Sequence, residues 1–272
     1  MEASISQRPR FDTTIPHLGR VADYILGGKD NFAADRRAAE TALTIAPELP
    51  VLWRETRRFL GRMVRYLAAE AGIRQFVDIG CGLPARDNVH EIANAVAPGS
   101  RVVYVDNDPV AVAHGQALLQ DERQTVVIEA DARDPEALLS HPRLTELIDL
   151  DKPVAFLLFG VLPAIPEDDV ARRVVGHLRD RLVPGGHLAL SHQVSDPRPE
   201  TTARLTAFYR REGAIPRLHR DNLRRRAEVG RFFDGLTLVD PGLVYVPWWR
   251  PEREVPYPAD AVWVAGGVAR KD

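Results

Sequence analysis

The chain has 272 residues, 45% of them hydrophobic and 27% charged, the balance of an ordinary folded domain rather than a disordered or fibrous protein. Its formal net charge of −2 gives no overall field toward nucleic acid or an anionic membrane, so both are disfavoured as partners. Cys81 is its single cysteine, which leaves no internal disulfide, and the longest apolar run, Pro153 to Ile165, falls short of the ~20 residues of a membrane span.

The opening MEASISQRPRFD has no apolar core and does not read as a secretory signal, so a cytoplasmic protein is expected. Lysine occurs only at Lys29, Lys152 and Lys271, and this arginine bias reads as GC-rich bacterial coding. Residues 1–16 read as a loose arm. DYILGGKDNF then brings two glycines and a lysine together, but not as a phosphate-binding loop. Tyr24 stands where the first glycine of that loop belongs, and Asp30 follows Lys29 where a hydroxyl belongs. Asp30 or Asn31 is expected to cap a helix from Phe32 to about Ile45, ended by Pro47 and Pro50. A second helix is predicted over about Leu52 to Ala71, with Leu52, Phe59, Leu60, Met63, Val64 and Leu67 at helical spacing and Gly72 as its stop.

The pattern then changes. QFVDIG, RVVYVD, TVVIEAD, PVAFLLFGVL and GGHLALSH read as five apolar strands. Helices are predicted between them over about 88–97, 109–120, 135–139 and 168–182. After His192 come helices over about 199–211 and 222–233 and two late strands, LTLVDPGLVYV and AVWVAGGVAR. Apolar strands alternating with helices predict an α/β fold: a doubly wound, mostly parallel seven-stranded sheet with an antiparallel edge strand. Residues 1–72 would form an arm and a helical lid, and residues 73–272 a Rossmann-like core, all in one structural domain.

In such sheets ligands sit beyond the carboxyl ends of the strands. The first end reads Asp78-Ile-Gly80-Cys81-Gly82, the second ends in Asp106 and Asn107, and the third in Asp131-Ala132. Glycines admit a ligand close to the backbone, and a carboxylate at the second position can accept both hydroxyls of a ribose. A dinucleotide site has a third glycine, whereas Leu83, Pro84, Ala85 and Arg86 follow Gly82 here. That disfavours an NAD-dependent oxidoreductase. The acid before the loop, Asp78, suits a cationic sulfonium cofactor better than a pyrophosphate.

These strand ends resemble the successive motifs of class I S-adenosylmethionine-dependent methyltransferases. With DYILGGKDNFAADR, QFVDIGCGLPARDNVHE, VVYVDNDPVAVAHGQALL and LALSHQVSD, the chain from about Pro16 to Val268 resembles a bacterial methyltransferase-like family of unassigned substrates. Pro84 departs from the general pattern but fits that subgroup. The resemblance implies S-adenosyl-L-methionine as cofactor and methyl transfer to an unidentified, small-molecule acceptor. Gly80, Cys81 and Gly82 would line its methionine part, with Asp78 behind them. Asp106 would hold the ribose, Asn107 border the adenine, and Asp131 meet its amino group beside Ala132. Phe159 and Gly160 would face the methyl group, and residues 194–258 would form much of the substrate wall.

Tyr24, Gly28 and Asn31 are candidates for a lid turn over the cofactor; a plain turn joining two helices is the alternative. The alternative to an enzyme is a sensor that binds the cofactor or its product and acts through a partner. His192, just past the fifth strand, is the candidate general base. Cys81 reads as a packed residue rather than a nucleophile, since no activating His–Asp arrangement is evident. His90 reads as packing or capping, and the histidines show no metal spacing, so no metal is expected. Arg217, Arg220, Arg224, Arg225 and Arg226 form a basic run, either a solvated face or a site for an acidic substrate. Trp248-Trp249-Arg250 either lines an acceptor pocket or anchors its loop.

Overall fold

The computed structural model describes residues 12–121, 123–215, 220–258 and 261–272. Most of the expected arm, and Arg217 of the basic run, lie outside them. The described chain opens with three helices, α1 (Leu18–Ile25), α2 (Ala33–Ile45) and α3 (Leu49–Ala69). It then alternates: β1 (Gln75–Ile79), α4 (Val89–Val96), β2 (Arg101–Asp106), α5 (Pro109–Leu118), β3 (Thr125–Glu129), α6 (Pro135–Leu139), α7 (Pro142–Leu147), β4 (Ala155–Phe159), α8 (Asp168–Arg181) and β5 (His187–Gln193). Helices α9 (Pro199–Arg211) and α10 (Arg226–Gly230) follow, then β6 (Thr237–Leu238), β7 (Val244–Tyr245) and β8 (Val264–Arg270).

The strands form one sheet in the order β3-β2-β1-β4-β5-β8-β6, with β7 also paired to β8. The first five are parallel and β8 runs antiparallel to β5. The sheet therefore has eight strands where seven are expected. The stretch LTLVDPGLVYV does not extend along β8 as one strand. Two-residue pieces pair with β8's two ends, Thr237 opposite Arg270 and Tyr245 opposite Ala265, and the Asp240–Pro241 turn separates them. Proline cannot donate to a strand ladder, so the pairing breaks there.

Every residue of β1 is buried, because the sheet is covered on both faces. One layer holds α3 and α4, with Phe59, Leu60, Met63, Val64 and Leu67 packed over Phe76, Tyr104 and Leu157. The other holds α6, α7 and α8, with Leu138, Leu144, Val174 and Leu178 over Val77, Val103 and Phe156. Helix α3 thus belongs to the covering layer of the sheet. It starts three residues before the expected Leu52, because Pro50 sits in its first turn, where a missing N–H costs nothing. Its Phe59 seats in a recess at Gly266 of β8, where a Cβ would overlap the ring edge. Helix α7, which is not among the expected elements, and the short α10 differ from expectation; α7 carries Pro142 in its first turn, where proline is tolerated. Among the described residues no helix is long and apolar enough to cross a membrane.

A buried ion cluster fixes α1 and α2 to the sheet. Arg20 of α1 is 4% exposed, Asp35 of α2 is 0% and Asp108, just past β2, is 4%. Arg20 Nε donates to Asp35 Oδ2 at 3.0 Å, and its Nη1 reaches Asp108 Oδ1 and Oδ2 at 3.0 and 2.9 Å. Asp35 also accepts the backbone N–H groups of His17 (2.8 Å) and Phe32 (2.9 Å), so it caps α2. Neither Asp30 nor Asn31 does. Removing one partner of such a cluster strands buried charge, at about 3–5 kcal/mol. Arg20→Ala is expected to lower the unfolding free energy by about that amount in urea titration. A loss under ~1 kcal/mol would rank the cluster with exposed pairs.

Candidate functional site

The carboxyl ends of β1 to β4 meet at one edge of the sheet, and the winding reverses between β1 and β4. After β1 the chain turns through Gly80 and Gly82, at φ of 69° and 67°, a left-handed conformation that side-chain-bearing residues avoid. The N–H groups of Gly80 and Cys81 donate to Val105 O at 2.7 and 3.1 Å, tying the turn to β2. The two glycines differ in surroundings. A Cβ at Gly80 would overlap Val161 Cγ2, whereas one at Gly82 would meet nothing within 4 Å. Gly80 packs; Gly82 presents bare backbone to open space.

Three carboxylates at the ends of β1, β2 and β3 stand in three different states. Asp106 Oδ2 accepts the Gly82 N–H at 2.8 Å and its Oδ1 the Asp108 N–H at 2.9 Å. Each oxygen keeps a lone pair for a further donor. Burial pushes Asp106 above the ordinary carboxylate range, against these two hydrogen bonds. Asp78, 6% exposed, has no hydrogen-bond partner among the described residues. Burial pushes it up to about 7, opposed by the Arg57 charge and reinforced by Asp106. Asp131, past β3, is instead held below the ordinary range. Burial acts to raise it, but Arg133, donating from Nε at 3.0 Å to both oxygens, outweighs that, with help from the Asn107 side chain. Asn107 and Asp131 are thus brought together, and Ala132 lies half-buried beside them.

At the end of β4, Phe159 is half-buried, its ring 5.4 Å from that of Phe59. Gly160 has φ 71°, and the Trp53 ring of α3 lies 3.8 Å from where its Cβ would stand. On the opposite side, α1 closes over the turn: the Cβ position of Gly19 is 4.0 Å from Gly82 Cα.

The lid candidates fall elsewhere. Tyr24 turns to α2, its hydroxyl donating to Glu40 at 3.1 Å. Gly28 sits against the Asp23 carboxylate, where any Cβ would clash, and Asn31 Nδ2 donates to Asp23 Oδ2 at 2.8 Å and to Gly28 O. The Asp23 carboxylate also accepts the Asp30 N–H at 3.0 Å. The GGK stretch is therefore a turn closed around Asp23, and Asn31 staples it rather than capping α2.

His192 is not placed as a general base. It is 0% exposed; its Nδ1 donates to Gln193 O at 2.5 Å, and its Nε2 faces Arg224 Nη1 at 3.3 Å. Burial, with the Arg224 charge, lowers it to about 3, so it stays neutral. Arg224 is itself 3% exposed and bonds Asp168 Oδ1 (2.9 Å), Leu162 O and Ile165 O. Arg220 is taken up by Asp168 and Glu228. The basic run is thus spent partly on internal braces. Trp249 is fully buried, edge-on to Phe59 and Tyr66, and anchors its loop. Cys81 is a thiol, its pKa driven up by burial. His90 packs edge-on against Tyr104, whose hydroxyl accepts its backbone N–H at 2.9 Å.

Several residues at the site went unmarked in the sequence: Trp53, Arg57, Arg133 and the latch residue Arg20. Arginine is too frequent here for any one to stand out. Only the spacing of Asp131 and Arg133 across a turn carries a local signal.

A glycine turn after β1, acids after β2 and β3, and an antiparallel β8 beyond β5 define a Rossmann-like fold of the S-adenosylmethionine-dependent methyltransferase class. The chain matches the S-adenosyl methyltransferase family over residues 4–272 and belongs to it. S-adenosylmethionine is the cofactor of that family. Two solved bacterial structures are similar. A DUF574 family protein from Streptomyces avermitilis is 40% identical, with a TM-score of 0.89 over 96% of this chain and 99% of its own. A methyltransferase candidate from Thermobifida fusca is 41% identical, with a TM-score of 0.89 over 98% of this chain and 99% of its own. No curated protein matches.

The unlike surroundings of the two glycines allow a test of the expectation that Gly82 lines the cofactor. Gly80→Ala is expected to cost about 2–4 kcal/mol, from backbone strain and overpacking on Val161. Gly82→Ala should cost about 1–2 kcal/mol, from strain alone, yet weaken cofactor binding about tenfold or more by filling the open space. Urea unfolding with and without S-adenosylhomocysteine reads both; equal losses in the two variants would contradict this division.

Proposed function

We propose that this chain transfers the methyl group of S-adenosylmethionine to a small-molecule acceptor in the bacterial cytoplasm. The observation that carries the reading is the pairing of bare Gly82 backbone with a buried carboxylate, Asp78, that lacks any hydrogen-bond partner among the described residues. A buried, unpartnered acid suits a ligand bearing positive charge. When bound, S-adenosylmethionine supplies a methyl group on a cationic sulfur that departs neutral. In this reading Asp78 faces the ammonium of the methionine part. The free lone pairs of Asp106 accept the ribose hydroxyls. Asn107 and Asp131 take the adenine edge, with Arg133 yielding one carboxylate oxygen. Phe159 and Gly160, with Trp53 beside them, wall the end where the acceptor approaches. The chain's work is then mainly alignment of the acceptor for in-line attack. His192, buried and neutral, has no part in it.

Calorimetric titration with S-adenosylmethionine and S-adenosylhomocysteine is expected to give micromolar binding of both, lost in Asp106→Ala. Absence of binding to either would overturn the reading. An acceptor screen by methyl-group incorporation follows from a positive result.

Asp78 adds a pH dependence with a defined sign. Its folded value of about 7 lies above the ordinary carboxylate value, so the free protein binds a proton there below about pH 7. An ammonium ligand favours the ionised form, so binding releases that proton. Affinity for S-adenosylhomocysteine is expected to rise between pH 5.5 and 7, by up to about tenfold per unit. Asp78→Asn should flatten the profile; an unchanged slope in that variant would detach the titration from Asp78.

A further inference from the structure

We propose that the cavity beyond β5 is a second ligand site, apart from the glycine turn, and that it holds a small molecule by an oxyanion group, a carboxylate or a phosphate. The inference rests on the walls of this cavity and not on the cofactor reading above. The cavity encloses about 570 Å³, within the ~300–1,000 Å³ of sites that take a small molecule. Ser195, just past β5, lines it with Pro199 at the start of α9 and with Arg220, Leu223 and Arg225. It shares no lining residue with the cleft beside the glycine turn. Its walls are held by their own hydrogen bonds. The Ser195 N–H donates to Arg224 O at 3.1 Å, and Asn222 Nδ2 donates to Pro199 O at 2.8 Å. The Arg224 side chain is drawn inward to Asp168, Leu162 O and Ile165 O, which anchors the backbone between Leu223 and Arg225.

Two polar groups on these walls have no partner among the described residues. One is the Ser195 hydroxyl. The residue is only 6% exposed, yet its hydroxyl, unlike the sealed one of Ser191, is still open to solvent. The other is the exposed Arg225 guanidinium, whose backbone N–H is bonded to Glu228 while its side chain is not. Arg220 adds a third donor, since Nη1 and Nη2 go to Asp168 and Glu228 and Nε stays free. The carboxylates of the wall do not cancel this set. Glu228 is engaged on both oxygens, by Arg220 Nη2 at 2.8 Å and by the Arg225 N–H at 2.7 Å. Asp196 Oδ2 accepts the Arg226 N–H at 2.6 Å, and Asp221 stands fully in solvent, where its charge is screened. A hydroxyl with one proton to give and a planar guanidinium with all its N–H groups free suit an oxyanion. Pro199 and Leu223 offer apolar surface to the rest of such a molecule.

The test follows amide chemical shifts of the isotope-labelled full chain during titration with inorganic phosphate, propionate or propylammonium, at an ionic strength held constant with chloride. Phosphate or propionate is expected to give saturable shifts at Ser195, Asn222 and Leu223, with a millimolar dissociation constant. The tighter of the two names the group, a phosphate ester or a carboxylic acid. Arg225→Gln should weaken that probe about tenfold, the worth of a charged hydrogen bond, and Ser195→Ala about threefold. Arg225→Lys should keep part of the affinity, by charge without the fork. Thermal unfolding reports whether each variant keeps the fold. Affinity for S-adenosylhomocysteine should stay within about twofold in every variant. No saturable shift with either anion would overturn the inference. So would tighter binding of propylammonium, or an Arg225→Gln protein that binds the anion as wild type does. Joint loss of the anion and of S-adenosylhomocysteine in the variants would merge the cavity with the cofactor site and overturn it too. A wild-type protein that binds the anion but not S-adenosylhomocysteine would refute the cofactor reading and leave this one standing.

Discussion

The arrangement of the site depends on Arg20. One guanidinium, almost fully buried, joins Asp35 of α2 to Asp108 at the end of β2. Those carboxylates in turn hold the backbone at His17, Phe32 and Val110. Buried charges carry a desolvation cost that an apolar core would avoid, so net stability is a poor account of the cluster. What it contributes is position. Apolar packing between α1 and the sheet tolerates sliding, but a guanidinium held by Asp35 through Nε and by both oxygens of Asp108 through Nη1 does not. It sets Gly19 over Gly82 and so fixes how close the first helix comes to the glycine turn.

From there the site is built by backbone groups that converge on side chains. Asp108 donates its N–H to Asp106, and Asp106 takes the N–H of Gly82, so the second strand's acid is connected both to the latch and to the turn. The three acids at the strand ends share a residue type but not an environment: one is left without a partner, one is held by backbone, one is held by an arginine. Only the first lacks a hydrogen-bond partner among the described residues. This division of labour explains how a cluster of like charges is tolerated at one sheet edge in the free protein.

The layered fold was legible because burial on both faces of a parallel sheet forces continuous apolar strands, and QFVDIG, RVVYVD and PVAFLLFGVL are such runs. The glycine turn and the acids after β2 and β3 were legible because strand ends are short and their chemistry is local. The N-cap of α2 was misread: Asn31 has the right chemistry one residue early, but Asp35 reaches back from the first turn and is oriented by Arg20, fifteen residues away. His192 carried a plausible position and no information about burial; its burial depends on Arg224, thirty-two residues later. The broken strand around Asp240–Pro241 could have been suspected from proline alone, whereas the eight-residue α1 has a period too short to bound. What escaped the sequence in each case is a pairing between distant side chains, which no window of periodicity contains.

Gly266 gives the far edge of the sheet a hold on the active end. Its missing side chain is the recess into which Phe59 seats, and Phe59 lies against Phe159 on one side and Trp249 on the other. The row works like a wedge between two walls. Any side chain at position 266 would displace the Phe59 ring, and Phe159, at the end of β4, packs against that ring. A change at position 266 on β8 would thus be felt at the carboxyl end of β4, two strands away in the sheet, through one ring packed on another.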